Sequence, residues 1–185
     1  MYIFSLSRAF WRKARGHALG FYLYQIGHRK IAFVGGQPQD MSRQERVEGY
    51  KRALTRRSLP FEIDWIALSC PNRCGGYRST VDLLELKNPP TAAVCFNDLV
   101  AFGLIQALQQ AGRKPGSEFG VIGFNDVPVV VDDRPLFTTV DTAPRQVGEI
   151  AAELLLRRIA KPDSLLQRVI LQPRLIVRQS CGTLA

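Results

Sequence analysis

Ile31-Ala-Phe-Val-Gly-Gly36, followed by Ser42-Arg-Gln-Glu45 and then Val47, Tyr50 and Leu54, decides the fold. A strand with one wet face alternates polar and apolar residues, so the unbroken apolar run Ile31–Val34 predicts a short strand covered on both faces. The two glycines end it. Ser42 three residues ahead of Glu45 has the spacing of a capping box, which predicts a helix with Ser42 as its N-cap. Val47, Tyr50 and Leu54 then fall at spacings of three and four, on one face of that helix.

The same unit recurs further along the chain. Trp65-Ile-Ala-Leu68 is a second strand run, and the helix after it has Val81, Leu83 and Leu84 inward before Asn88-Pro-Pro90 stops it. Thr91-Ala-Ala-Val-Cys-Phe96 is a third strand. Asn97 stands where it can cap the next helix, whose apolar positions include Leu99, Phe102, Ile105 and Leu108, and Gly112 suits a left-handed stop. Phe119–Phe124 and Phe137–Val140 predict two more strands, and an amphipathic helix runs from about Pro144 to Ile159. Two β-branched-rich runs, at about Arg168–Gln172 and Arg174–Arg178, predict closing strands. Strands alternating with helices of 10–15 residues give an α/β fold with a Rossmann-like parallel sheet and helices on both of its faces.

Composition excludes several classes. At 185 residues, 46 % hydrophobic and 22 % charged, the chain has ordinary globular proportions. No apolar run approaches the roughly 20 residues that cross a bilayer, and no cleavage site follows the opening stretch Met1–Trp11, so a membrane or secreted protein is not expected. The formal charge of +9 is concentrated: Arg8, Arg12, Lys13, Arg15, Arg29 and Lys30 all precede the first acidic residue, Asp40. A second cluster, Lys51, Arg52, Arg56 and Arg57, falls on the first predicted helix. Neither cluster comes with a helix-turn-helix pattern or an aromatic ladder, so a solvated face is expected rather than a nucleic-acid surface.

The cysteines give no metal site. Cys70 and Cys74 form a C-x3-C pair, but Cys95 and Cys181 are distant and the histidines are His17 and His28 alone. Tetrahedral zinc needs about four ligands at defined spacing. Reduced structural thiols are expected, with Cys95 buried in its strand. His28, ahead of the first strand, reads as a cap or surface residue. No dinucleotide fingerprint, phosphate loop or nucleophile elbow is present, so neither an enzyme nor a cofactor is expected.

In an open parallel sheet, ligands bind outside the carboxyl ends of the strands. That rule selects Gly35-Gly36 after the first strand, Asn97-Asp98 after the third and Asn125-Asp126 after the fourth, with Arg46 one turn into the first helix near the same edge. A guanidinium fork, amides and carboxylates around one crevice can bracket sugar hydroxyls or clamp a small anion. Each alone has a plainer reading: Asn97 as an N-cap, Asn125-Asp126 as a turn, Arg46 as a solvated residue.

The ordered set of motifs resembles the sensor domain of LacI/GalR-type transcription regulators over roughly residues 20–182. Ile26-Gly-His-Arg-Lys-Ile-Ala-Phe-Val-Gly-Gly36 is similar to the stretch that opens the C-terminal lobe, and Arg46-Val-Glu-Gly-Tyr50 to its R-x-x-G-[YFW] helix. Phe96-Asn-Asp-Leu-Val-Ala101, Val121-Ile-Gly-Phe-Asn-Asp126, Pro135-Leu-Phe-Thr-Thr-Val140 and Pro173-Arg-Leu-Ile-Val-Arg178 resemble further motifs in the same order. Gly36-Gln37, Arg43–Tyr50 and the stretch Leu59–Trp65 are most similar to the maltose-regulon repressor branch.

The resemblance implies a periplasmic-binding-protein-like fold, mostly a C-terminal lobe (31–142 and 173–182) with a remnant of the N-terminal lobe, into which 143–172 returns. It implies an effector, a sugar or sugar derivative, contacted by Arg46, Asn97 and Asn125, with Pro71 and Asn72 lining the cleft and Asp98 beside it. Where the family usually has Asp, this chain has Asn125, which offers one acceptor and two donors in place of a carboxylate. A homodimer in the cytoplasm is implied, with DNA bound only through a headpiece that these 185 residues lack. Residues 1–25 are expected to be a basic leader and the end of a first-lobe helix, and the chain a truncated regulator. The apolar face of the last helix, Ile150, Leu154 and Leu155, is then expected to be exposed. The alternative is a stand-alone small-molecule-binding module or a regulator fragment without function.

Overall fold

Every residue of the first strand, Ile31–Val34, is buried, and so is every residue of Ala92–Cys95, one of the two strands it pairs with; the architecture follows from that. In a computed structural model of the chain, which describes residues 16–128, 130–131, 134–135, 137–165 and 167–182, helix α1 (Gly16–Gln25) leads into β1 (Ile31–Val34), α2 (Met41–Thr55), β2 (Ile66–Ala67), α3 (Arg73–Leu84), β3 (Ala92–Cys95), α4 (Asp98–Gln110) and β4 (Gly120–Ile122). These four strands form one parallel sheet in the order β2-β1-β3-β4, with Ile31 beside Ala92, Val34 beside Cys95 and Ala92 beside Gly120. The expected basic leader lies largely outside the described residues.

Alternation within the buried strands sorts their side chains into two cores. Ile31, Phe33, Ala92, Val94 and Ile122 pack against α1 and α2 through Leu19, Leu23, Val47, Tyr50 and Leu54. Ala32, Val34, Ala93, Cys95 and Val121 pack on the other face against α3 and α4, through Leu83, Val100, Leu104 and Leu108. A sheet covered on both faces is what the unbroken apolar runs predict. Tyr50 also reaches across its core to donate its hydroxyl to the Ile31 carbonyl, at 2.6 Å.

After β4 come a short antiparallel pair, β5 (Val130–Val131) with β6 (Arg134–Pro135), and then β7 (Thr139–Asp141). Next are α5 (Pro144–Ala160) and β8 (Arg174–Ile176), which pairs antiparallel with β7.

The structure corrects several expectations. Helix α2 begins at Met41 with Asp40 as N-cap and no side-chain cap, so Ser42 lies inside the first turn and the capping box does not form. The second strand is shorter than its apolar run, because Ile63–Trp65 turns as a 3-10 helix and Leu68 is exposed. Leu99 and Val81 point outward on helices whose buried arcs run through Val100 and Leu83 instead. The run Arg168–Gln172, with Val169 and Ile170 at its centre, forms no strand among the described residues. His28 is fully buried, not a surface cap. The αL stop at Gly112 (φ 71°) is as expected, and so is the span of α5. That helix contains no buried residue; Leu155 is 54 % exposed and Ile159 66 %. Ile150 and Leu154 are only half-buried.

Candidate functional site

The carboxyl ends of β1, β2, β3 and β4 meet at one rim, and hydrogen bonds between the loops run around it. Positive φ at Gly35 (96°) and Gly36 (82°) turns the chain sharply after β1. Arg43, buried on α2, holds that turn by donating its Nε to the Gly35 carbonyl at 3.2 Å. Gln37 reaches the sulfur of Cys70 in the loop after β2, at 3.8 Å. From that loop the Pro71 carbonyl accepts the Asn97 amide at 3.0 Å, which links it to the end of β3. The Asp98 N–H in turn donates to Phe124 O at 3.1 Å, which ties the start of α4 to the end of β4.

Arg46 stands at the centre. Its Nη1 donates to the carbonyl of Phe96, and its guanidinium lies 4.6 Å from the centre of the Phe96 ring and 4.0 Å from that of Phe124. Cation–π attraction of this kind holds a guanidinium against the ring faces. Burial pushes the Arg46 pKa down to about 10, against the favourable charges of Asp98 and Glu45, so it remains a cation at neutral pH. Beneath it, Leu19, Phe33, Tyr50, Val94 and Phe124 enclose a cavity with room for about one water.

The two asparagines differ. The Asn97 Oδ1 caps α4 by accepting from Val100 N at 2.9 Å, which leaves one amide hydrogen beyond the bond to Pro71. The Asn125 side chain makes no hydrogen bond among the described residues, and its backbone adopts φ 106°, next to Asp126 at 51°. This left-handed pair is held from behind: Asn125 N donates to Val140 O at 2.9 Å, and Asp126 pairs with Arg178 at 2.8 Å. Asn72 caps α3 through Gly75 N at 2.9 Å.

Of the residues selected from the sequence, Arg46, Asn97, Asn125, Pro71 and Asn72 are thus gathered at the rim. Asp98 is a correction. It is 1 % exposed, with Oδ1 accepting from Thr139 Oγ1 at 2.6 Å and Oδ2 from Val127 N at 2.7 Å. Burial raises its pKa although these bonds oppose the rise. Room for it exists because residue 123 is glycine: a Cβ there would overlap Asp98 Oδ1 and stand 2.6 Å from the Phe137 ring. Asp98 therefore anchors the Phe124–Val127 turn and does not face the crevice. Asp98→Asn sets an amide N–H or an ill-placed oxygen against these donors; we expect a loss of about 2 kcal/mol in urea unfolding. An unchanged midpoint would remove Asp98 from this role. Phe96, Phe124 and Arg43 were not singled out from the sequence, although both phenylalanines stand at strand ends, where the rim forms.

Among the described residues no cluster of three or more His, Cys, Asp and Glu is placed to hold a metal ion. No helix among them is long and apolar enough to cross a membrane.

Residues 22–181 match the periplasmic binding protein-like domain family. The chain belongs to that family. The chain is 31 % identical over 172 residues to the ribose operon repressor of Haemophilus influenzae, covering 90 % of this chain and 52 % of the relative. It is 33 % identical over 166 residues to the transcriptional repressor PurR of Vibrio parahaemolyticus, covering 89 % and 49 %. Among solved structures it is similar to a LacI family transcriptional regulator from Enterococcus faecium with bound ribose. That match has a TM-score of 0.82 and 29 % identity, over 92 % of this chain and 63 % of the other. The resemblance to LacI-type regulators drawn from the motifs is borne out, as is the α/β fold. The chain spans about half the length of the curated relatives it matches, and those relatives are named as repressors.

Proposed function

We propose that this chain is the effector-sensing part of a LacI-type transcription regulator and that it binds a small sugar-like ligand at the carboxyl rim of the sheet. The observation that carries the reading is the guanidinium of Arg46, fixed between Phe96 and Phe124 at the same rim as Asn97 and Asn125. A sugar needs donors and acceptors for its hydroxyls and a flat apolar surface for its C–H face. The guanidinium and the two amides supply the first, and the half-buried Phe96 ring the second. That a similar regulator holds ribose supports a sugar over other small polar ligands. In this reading Pro71 and Asn72 form one wall. The whole regulator is a cytoplasmic homodimer that meets DNA through a headpiece, and it is not an enzyme.

Titration calorimetry of the full chain against ribose and a panel of pentoses and hexoses tests the proposal. At least one sugar is expected to bind, and Arg46→Ala, checked for native circular dichroism, to weaken it about tenfold or more, the loss of a charged hydrogen bond. No sugar binding, or equal binding by the variant, would refute it.

A further inference from the structure

Structural thiols are buried, as Cys95 and Cys181 are, whereas Cys70 and Cys74 are both exposed. We propose that Cys70 and Cys74 form a modification site, a thiol pair that a hydroperoxide closes into an intramolecular disulfide at the wall of the crevice.

The loop before α3 brings the two residues together. Asn72 N donates back to the Cys70 carbonyl at 2.8 Å, folding the chain over Pro71, and the Asn72 side chain caps Gly75 N. Cys70 is thereby laid on the first turn of α3. A Cβ built on Gly75 would stand 3.0 Å from the carbonyl carbon of Cys70 and 3.1 Å from its amide nitrogen. Gly75 is the immediate neighbour of Cys74 in that turn. Disulfides require Cα atoms roughly 4.4–6.8 Å apart, and a folded-back loop against a first helical turn supplies a close approach of this kind. Gly75 and Gly76 follow Cys74, so no side chain of theirs shields its sulfur.

The chemistry balances with one equivalent of peroxide. One thiol attacks the O–O bond and becomes a sulfenic acid, while the peroxide is reduced and leaves as an alcohol or water. The second sulfur then attacks the sulfenic sulfur, the S–S bond forms and water departs with the second thiol's proton. The bridge ties the loop whose Pro71 carbonyl holds Asn97 and whose Cys70 sulfur receives Gln37. Its formation does not depend on which ligand the crevice takes, or on any ligand.

Native full-length protein is treated with stoichiometric hydrogen peroxide and analysed by non-reducing mass spectrometry. The expected product is a monomer lighter by about 2 Da that dithiothreitol restores. Trypsin cleaves after Arg73, so the bridge joins the Ser58–Arg73 peptide to Cys74–Arg78. Cys70→Ser and Cys74→Ser should each abolish this linked pair. Only sulfinic or sulfonic adducts, only disulfide-linked dimers, or no reaction at these positions would overturn the proposal.

Discussion

Gly103→Val is expected to cost about 3 kcal/mol of stability, the upper range for overpacking a closed interface. For a chain of this size that lowers Tm by roughly 6–12 °C. The cause is a seam in which two helix backbones touch. A Cβ on Gly103 of α4 would overlap the Arg73 carbonyl oxygen of α3 and stand 2.8 Å from both the Arg73 carbonyl carbon and the Tyr77 nitrogen. The contact is reciprocal, because a Cβ on Gly76 of α3 would overlap the Val100 carbonyl oxygen of α4 and lie 2.8 Å from its carbon. Neither partner is a flexible side chain, so relief requires the helices to separate. That movement opens the core formed by Leu83, Val100, Leu104 and Leu108. Gly148→Ala on α5 is the control: nothing lies within 4 Å of its Cβ position. There the gain in helix propensity, up to about 1 kcal/mol, should stand alone. Equal melting of the Gly103 variant and the parent would show that the seam is not closed.

Acid is expected to weaken the fold through His28, by about 3 kcal/mol between pH 6.5 and pH 4. The ring is fully buried, and burial, aided by the charge of Arg29, lowers its pKa to about 4. The unfolded imidazole takes up its proton near pH 6.5, so between these values the unfolded state binds the extra proton and stability falls as pH falls. Below the folded value the penalty is complete and the curve levels. Geometry explains why the proton is refused. Thr91 Oγ1 is placed to donate to Lys30 O at 3.3 Å, so it accepts from His28 Nδ1–H at 3.0 Å. Nε2 has no hydrogen-bond partner among the described residues and faces Gly120, whose Cβ position is 2.6 Å away. A second N–H there would meet no acceptor. Asp98 acts in the opposite sense, since its raised folded pKa makes protonation favour the folded state. The informative measurement is therefore the difference in urea stability between the parent and His28→Asn across this range. The variant should lose about 3 kcal/mol less on acidification; parallel curves would exclude the imidazole as the cause.

The strands were legible because burial on both faces leaves an unbroken apolar run, as at Ile31–Val34 and Ala92–Cys95. The rim was legible for a related reason: where such runs stop, a crevice residue follows. Helix faces were less readable. α4 is covered by both the sheet and α3, so its buried arc takes in Val100, Ala101, Gly103, Leu104, Ile105, Ala107 and Leu108, and Leu99 falls outside it. Spacing alone shows a stripe, not how far a second neighbour widens it. The environment of His28 was out of reach because its partner Thr91 is 63 residues away. Asp98 follows Asn97 directly, but helical geometry turns the one toward the rim and the other into the protein. The run Arg168–Gln172 shows the converse error, since β-branched composition makes no strand without a neighbour to hydrogen-bond.

The walls of the crevice hang from separate strands, and their duties are unequal. Asn97 and Asn72 each cap a helix with the side chain that borders the crevice, so exchanging either alters both chemistry and scaffold. Asn125 carries no such second duty, and its φ of 106° asks only for a residue that tolerates a left-handed backbone. If the proposed function holds, ligand preference can thus drift most cheaply at the end of β4, one exchange at a time. On that reading the helix caps hold the rest of the rim to its ancestry, and the domain would inherit its grip conservatively while its taste remained open to revision.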